Sequence, residues 1–214
     1  PLGFRESETG EPGEEGDEWL PYLVPFRRRL FTVLRDRSRP LRGRLEEFLT
    51  LCLLGDAVLA DAEQEGTAPE GLLTLEGGTL SGMLPEDGIF PAGFRLLASL
   101  EVLEPDWRDV LREAGTAAPV PQDEALLERI ATYFAYRSVL KCVNDGDLLG
   151  RGLYTVFLTL AAERIAAVCG LGEALRRLSR EVEHDADNVE ALLTAFREDG
   201  AFDVGCFLWE LRNF

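Results

Sequence analysis

The chain has one histidine, His184, and it lies among acids in Glu181-Val182-Glu183-His184-Asp185. Glu181 and His184 are spaced i, i+3, which puts both on one face of a regular helix. Two such Glu-x-x-His pairs and two further carboxylates hold a di-iron centre inside a helical bundle. The second histidine does not exist anywhere in the sequence, so a complete site of that kind is excluded. A zinc site needs histidine and cysteine gathered from scattered positions. The four cysteines, Cys52, Cys142, Cys169 and Cys206, form no C-x-x-C pair, and no metal ligands are assigned. One histidine suffices as a general base, but no G-x-S-x-G nucleophile elbow accompanies it. His184 and the neighbouring Glu183 remain the candidate proton acceptors. Their alternative is a helix-boundary histidine with carboxylate neighbours.

A second group reads Tyr133-Phe134-Ala135-Tyr136-Arg137, with Lys141 beyond it. Tyr133, Arg137 and Lys141 recur at i, i+4 and i+8, one stripe of a helix that otherwise carries apolar residues. Polar groups on such a stripe need partners, and Asp145 and Asp147 in the adjoining Asn144-Asp145-Gly146-Asp147 turn are the nearest candidates. The cluster is either a salt-bridge and capping network or a polar pocket for a zwitterionic ligand.

These residues need helices to position them. Leu148 to Cys169 is apolar over most of its circumference, the pattern of a central buried helix. Gly150 and Gly152 weaken its first turn, and Gly170 and Gly172 end it. Ahead of it, a helical pattern runs from Asp123 through Lys141; behind it, one from Glu173 to Phe196 is interrupted near His184 to Asn188, and one spans Val204 to Leu211. In the first half, a helix becomes regular near Pro25, because proline suits only the first turn. It carries a basic side of Arg27, Arg28, Arg29, Arg35 and Arg37. Pro40 opens a second helix that runs to about Gln64. Residues 66–92 and 115–121 are loop-rich, with Leu72, Leu73 and Leu75 a short strand or turn, and helical pattern resumes at Phe94 and at Trp107. The glycines of the first loop region lack the spacing and the strand–helix context of a phosphate loop. No segment shows sustained alternation of a half-buried strand. The expected fold is all-α: a bundle of about seven or eight helices around a buried central helix, one domain over 19–214 behind a flexible acidic lead-in at 1–18.

Thirty-nine acidic residues against 22 basic ones give a formal net charge of -17. Such a chain repels a phosphate backbone, so nucleic-acid binding is not expected, while a basic protein segment is attracted. Scattered cysteines, an acidic N-terminus and the expectation that no apolar run spans a bilayer point to a reducing, cytoplasmic setting without membrane insertion.

Two stretches carry a resemblance. One is Tyr133-Phe134-Ala135-Tyr136-Arg137-Ser138-Val139-Leu140-Lys141-Cys142-Val143-Asn144-Asp145-Gly146-Asp147-Leu148-Leu149. The other is Leu178-Ser179-Arg180-Glu181-Val182-Glu183-His184-Asp185-Ala186-Asp187-Asn188-Val189-Glu190-Ala191-Leu192-Leu193, with Ala201-Phe202 later in the chain. Together they resemble the C-terminal part of the flagellin lysine-N-methylase (FliB) family, in which a tyrosine-rich helix leads into a Leu-Lys-Ala-x-x-Asp-Gly-Asp turn. A later helix of that family reads like Ser-x-Glu-Ile-Glu-His-Ser-x-x-Asn. Cys142 stands in place of Ala and Asp185 in place of Ser. The resemblance implies methyl transfer from S-adenosylmethionine to lysines of flagellin or a similar protein. It also implies a cysteine-rich N-terminal region holding a metal or iron–sulfur centre; with no cysteine before Cys52, that centre is expected only if such a region exists outside this chain. Tyr133, Tyr136, Arg137, Lys141, Asp145 and Asp147 are then candidates for one wall of a substrate or cofactor pocket. Glu183, His184 and Asn188 are candidates for the other, with His184 accepting the lysine proton. The alternatives are a non-catalytic acidic module that docks a basic partner, and an unrelated helical enzyme.

Overall fold

The computed structural model describes residues 17–78, 88–118 and 120–213. The acidic lead-in expected at 1–18 falls almost wholly outside them, as does the middle of the first loop region. Among the described residues the fold is all-α with no strand. Its helices are α1 (Leu20–Leu34), α2 (Leu41–Glu65), α3 (Phe90–Ser99), α4 (Trp107–Thr116), α5 (Glu124–Ser138), α6 (Leu148–Cys169), α7 (Leu171–Leu178), α8 (Ala186–Glu198) and α9 (Val204–Asn213).

Helix α6 is the centre, packed against α2, α4, α5, α7 and α8. Leu153, Val156, Phe157, Leu158, Leu160 and Ile165 are all buried, as its all-round apolar pattern requires. Asp147 starts it by accepting the Gly150 amide at 2.7 Å, and Gly170, at φ 80°, ends it. Gly152 has a packing role that its weak helix propensity hides. A Cβ there would lie 2.7 Å from Cβ of Cys52, so the missing side chain lets α2 cross α6 closely. The helix is also long and apolar enough, by length and composition, to cross a membrane, contrary to the sequence expectation; 72% of its most apolar window is buried inside the protein.

One expectation for α1 is corrected. The helix begins at Leu20, with Pro25 inside it. Pro25 removes one hydrogen bond, to the Pro21 carbonyl, next to a first turn whose amides lack intrahelical partners anyway. The buried spacing Leu23, Phe26, Leu30 carries the helix through. Of the strand or turn left open in the first loop, the structure has the turn: Leu72 and Leu73 belong to a single 3-10 turn, Glu70–Leu73.

The basic side of α1 is partly internal. Arg27 is buried, its guanidinium 5.1 Å from the Tyr136 ring centre and 5.6 Å from that of Phe31. Arg37 forms a two-pronged pair with Glu128, both contacts at 2.9 Å. Arg44 of α2, 2% exposed, donates to the Leu34 carbonyl, Glu124 and Glu128 at 2.6–2.8 Å. This closed network ties α5 to the α1–α2 corner.

Candidate functional site

The expected helix from Glu173 to Phe196 divides into α7, a π-turn at Ser179–Glu183, and α8. The π-turn is closed by the His184 amide donating to the Ser179 carbonyl at 3.1 Å, five residues back. The Asp185 carboxylate restarts the helix by accepting the Asp187 and Asn188 amides. The wider turn rotates the chain beyond it about the helix axis, so Glu181 and His184 do not share a face: Glu181 is 1% exposed and His184 lies on the surface. The i, i+3 geometry read from the sequence is therefore corrected.

Glu181 and Asn188 hold the turn in place. The Glu181 carboxylate accepts the amides of Leu103 and Glu104 at 2.7 and 2.9 Å. Asn188 accepts the Glu101 amide at 3.0 Å and donates to the carbonyls of Glu101 and Glu181 at 2.9 and 2.7 Å. Every polar atom of the buried Asn188 side chain is thus occupied by backbone. Arg176 and Arg177 of α7 reinforce the junction by pairing with Glu104 and Asp106 of the α3–α4 connection. Hydrogen bonds from the same two arginines hold the Glu173 carboxyl down at about 2.

The π-turn delivers Glu183 to α5. The Tyr133 hydroxyl lies 3.5 Å from one Glu183 oxygen, and the Arg137 Nε 4.0 Å from the other. The Glu183 side chain is only 6% exposed, against 47% for Arg137. A nearly buried carboxylate held by two long contacts is under-satisfied. Burial, and then the Glu183 charge, raise the Tyr133 hydroxyl above its ordinary range; the buried Tyr154 is raised by the same two causes in the same order. Both phenols therefore stay protonated and able to donate. His184, next in the chain, makes no side-chain hydrogen bond or ion pair among the described residues. Its ring is open to a partner.

The remaining sequence candidates lie elsewhere. α5 ends at Ser138 and gives way to a 3-10 turn, Val139–Val143, so Lys141 leaves the expected stripe and is exposed. Tyr136 stacks against Phe31 and Arg27. Asp145 pairs with Arg151, and Asp147 caps α6 and pairs with Arg197 at 2.9 Å. Neither meets Arg137 or Lys141 as expected. Asp145 and Asp147 instead line a cavity of about 420 Å³ away from Glu183, with Asp56, Phe196 and Phe202.

Asp56 and Glu210 are carboxyls that the sequence reading passed over. Asp56 accepts the Leu149 amide at 2.8 Å, and burial raises its carboxyl above the usual range. Glu210 is 2% exposed, its Oε1 has no hydrogen-bond partner, and burial pushes its carboxyl up to about 7 against the pull of Arg164 and Arg42. Each was visible as a lone acid in an apolar run, Leu53-Leu54-Gly55-Asp56-Ala57-Val58 and Phe207-Leu208-Trp209-Glu210-Leu211. Burial pushes the Cys142 thiol up to about 12 and Cys52 well above its usual value, so neither presents a thiolate near neutral pH. Among the described residues, no group of three or more histidine, cysteine or acidic side chains is arranged to hold a metal ion.

Compared with known proteins, the chain matches no family model, no curated protein and no solved structure.

Proposed function

We propose that this chain is the helical part of a protein lysine N-methyltransferase that uses S-adenosylmethionine, with flagellin or a similar lysine-bearing protein as acceptor. The observation that carries the reading is the meeting of Glu183 with Tyr133 and Arg137. The two stretches that resemble the flagellin lysine-N-methylase family touch at this point, through residues as far as fifty positions apart, Tyr133 and Glu183. A guanidinium, a phenol and an under-satisfied carboxylate suit a zwitterionic amino-acid head: Arg137 takes its carboxylate, and Glu183 its ammonium. S-adenosylmethionine carries such a head, and its sulfonium supplies the methyl group. Only a neutral lysine amine is nucleophilic, so a proton must leave the ε-ammonium before the new C–N bond replaces the methyl C–S bond. His184, exposed one residue from Glu183, is the group assigned to accept it.

The experiment is retention of radiolabelled S-adenosylmethionine by the purified protein, with helicity measured in parallel. The native chain is expected to bind saturably. Glu183→Gln and Arg137→Ala are expected to weaken binding about tenfold or more while folding survives. His184→Ala is expected to leave donor binding intact and lower methyl transfer to flagellin. Absence of donor binding by the folded native chain overturns the reading.

The alternative, a non-catalytic module for a basic protein partner, draws on a different observation. The cavity beside α6 is bordered by Asp56, Glu63, Asp145, Asp147 and Asp203, in a chain of net charge -17. It requires salt-sensitive binding of a lysine-rich peptide that Asp203→Asn weakens and Glu183→Gln leaves unchanged.

A further inference from the structure

Most arginines of this chain are consumed by its own acids. Arg37, Arg44, Arg151, Arg176, Arg177 and Arg197 all pair with carboxylates. That is the expected outcome where acids outnumber bases by 39 to 22. The groove between α3 and α4 departs from it. Arg95 is exposed and makes no ion pair among the described residues. Arg108 is anchored by its Nε to the Ala98 carbonyl at 2.9 Å, and its two Nη groups meet no carboxylate there. Arg112 pairs only with Asp109 on its own helix, and both are about three-quarters exposed, at 75% and 70%. Such a pair contributes little and is readily exchanged.

These arginines rim a concave space of about 470 Å³ whose floor is Phe90, Pro91, Phe94, Ala98 and Leu111. Arg164 of α6 closes one end, its guanidinium 5.0 Å from the Phe90 ring centre. Phe90 and Phe94 pack together at 5.2 Å between ring centres with their planes tilted by 37°, so the two rings brace each other in the floor. Arginine stems extend the apolar surface while their heads stay at the rim. The volume falls in the range of small-molecule sites, about 300–1,000 Å³.

We propose that the α3–α4 groove binds a small amphiphilic anion, a long-chain carboxylate. Its alkyl chain lies along Phe90, Phe94 and Leu111, and its head is taken by Arg95 and Arg108. The apolar floor selects the chain, and guanidinium groups left unpaired in an otherwise acidic protein select the charge of the head. The proposal stands apart from the methyltransferase reading, since it uses neither α5 nor the π-turn.

The test is calorimetric titration of the native chain with dodecanoate, kept below its micelle concentration. Dodecyltrimethylammonium, which has the same chain and the opposite head, serves as the comparison. Saturable dodecanoate binding is expected, weakening with added salt and at least about tenfold tighter than binding of the cationic amphiphile. The double variant Arg95→Gln/Arg108→Gln changes two exposed side chains and is expected to fold normally. It should lose about tenfold or more in affinity for dodecanoate and gain nothing for the cation. Equal binding of the two amphiphiles, unchanged binding by the double variant, or no saturable dodecanoate binding each overturns the proposal. Because donor retention is measured separately, neither result decides the other.

Discussion

Glu181 offers the sharpest test of how the candidate site is held. Its carboxylate is 1% exposed and accepts two backbone amides, those of Leu103 and Glu104, at 2.7 and 2.9 Å. Hydrogen bonds to a charged acceptor contribute about 1.5–3 kcal/mol each, and a donor stranded without a partner costs a similar amount. Glu181→Ala removes both bonds and leaves two amides to find water. Leu103 is 56% exposed, so water reaches one of them and part of the loss is recovered. The expected destabilisation is about 3 kcal/mol. For a domain of this size that lowers the melting temperature by roughly 6–12 °C. Glu181→Gln keeps one acceptor but turns an NH2 group towards an amide, and is expected to cost about 2 kcal/mol. The assay is urea and thermal unfolding monitored by circular dichroism, with the exposed Arg129→Gln as a surface control within about 0.5 kcal/mol of native. Asn188 bonds to the same connection and to the Glu181 carbonyl. Glu181→Ala and Asn188→Ala should therefore be non-additive in a double-mutant cycle. A loss below about 1 kcal/mol for Glu181→Ala refutes the argument, because the two amides would then not depend on the carboxylate.

Glu210 should make stability depend on pH in the direction opposite to the paired acids. Its folded carboxyl is raised from 4.5 to about 7, so the native state keeps a proton that the unfolded chain has released. Stability from this group is complete below pH 4.5 and is lost as pH rises through about 7. Urea midpoints measured across that window should fall less for Glu210→Gln than for the native chain; identical slopes refute the assignment. Gly152→Ala should destabilise by about 1–3 kcal/mol despite alanine's better helix propensity, because the new Cβ would meet Cys52; a gain in thermal stability would show that α2 moves aside without cost.

The all-α class and the central position of α6 were legible because they depend on composition over many residues. Leu148 to Cys169 is apolar on every side, and a helix of that kind has to be surrounded. The bounds of α2 were legible too, since Pro40 and Gly66 mark its ends, the latter at φ 64°. What failed did so where local periodicity meets a tertiary demand. The Tyr133–Arg137–Lys141 stripe assumed a helix that continues past Ser138, but the chain tightens into a 3-10 turn and carries Lys141 away. The Asp145 and Asp147 carboxylates were expected to serve Arg137 and Lys141. Arg151, six residues on, and Arg197, fifty residues on, claim them instead; for Arg197 the sequence gives no hint of proximity.

The π-turn shows why the candidate site could be found in outline and not in detail. Spacing alone put Glu181 beside His184 on one face and left Glu183 between them. One extra residue in the turn changes that assignment. Glu181 goes inward to the Leu103 and Glu104 amides, Glu183 is carried to Tyr133 and Arg137, and His184 is left at the surface. A π-turn has poorer intrinsic geometry than an α-turn and persists where surrounding contacts over-determine it. Here those contacts are the Glu181 and Asn188 bonds and the Arg176 and Arg177 pairs, and all of them reach the α3–α4 connection. The placement of Glu183 is therefore set by residues 101–106 as much as by its own helix. A sequence pattern confined to the second motif has no access to that dependence.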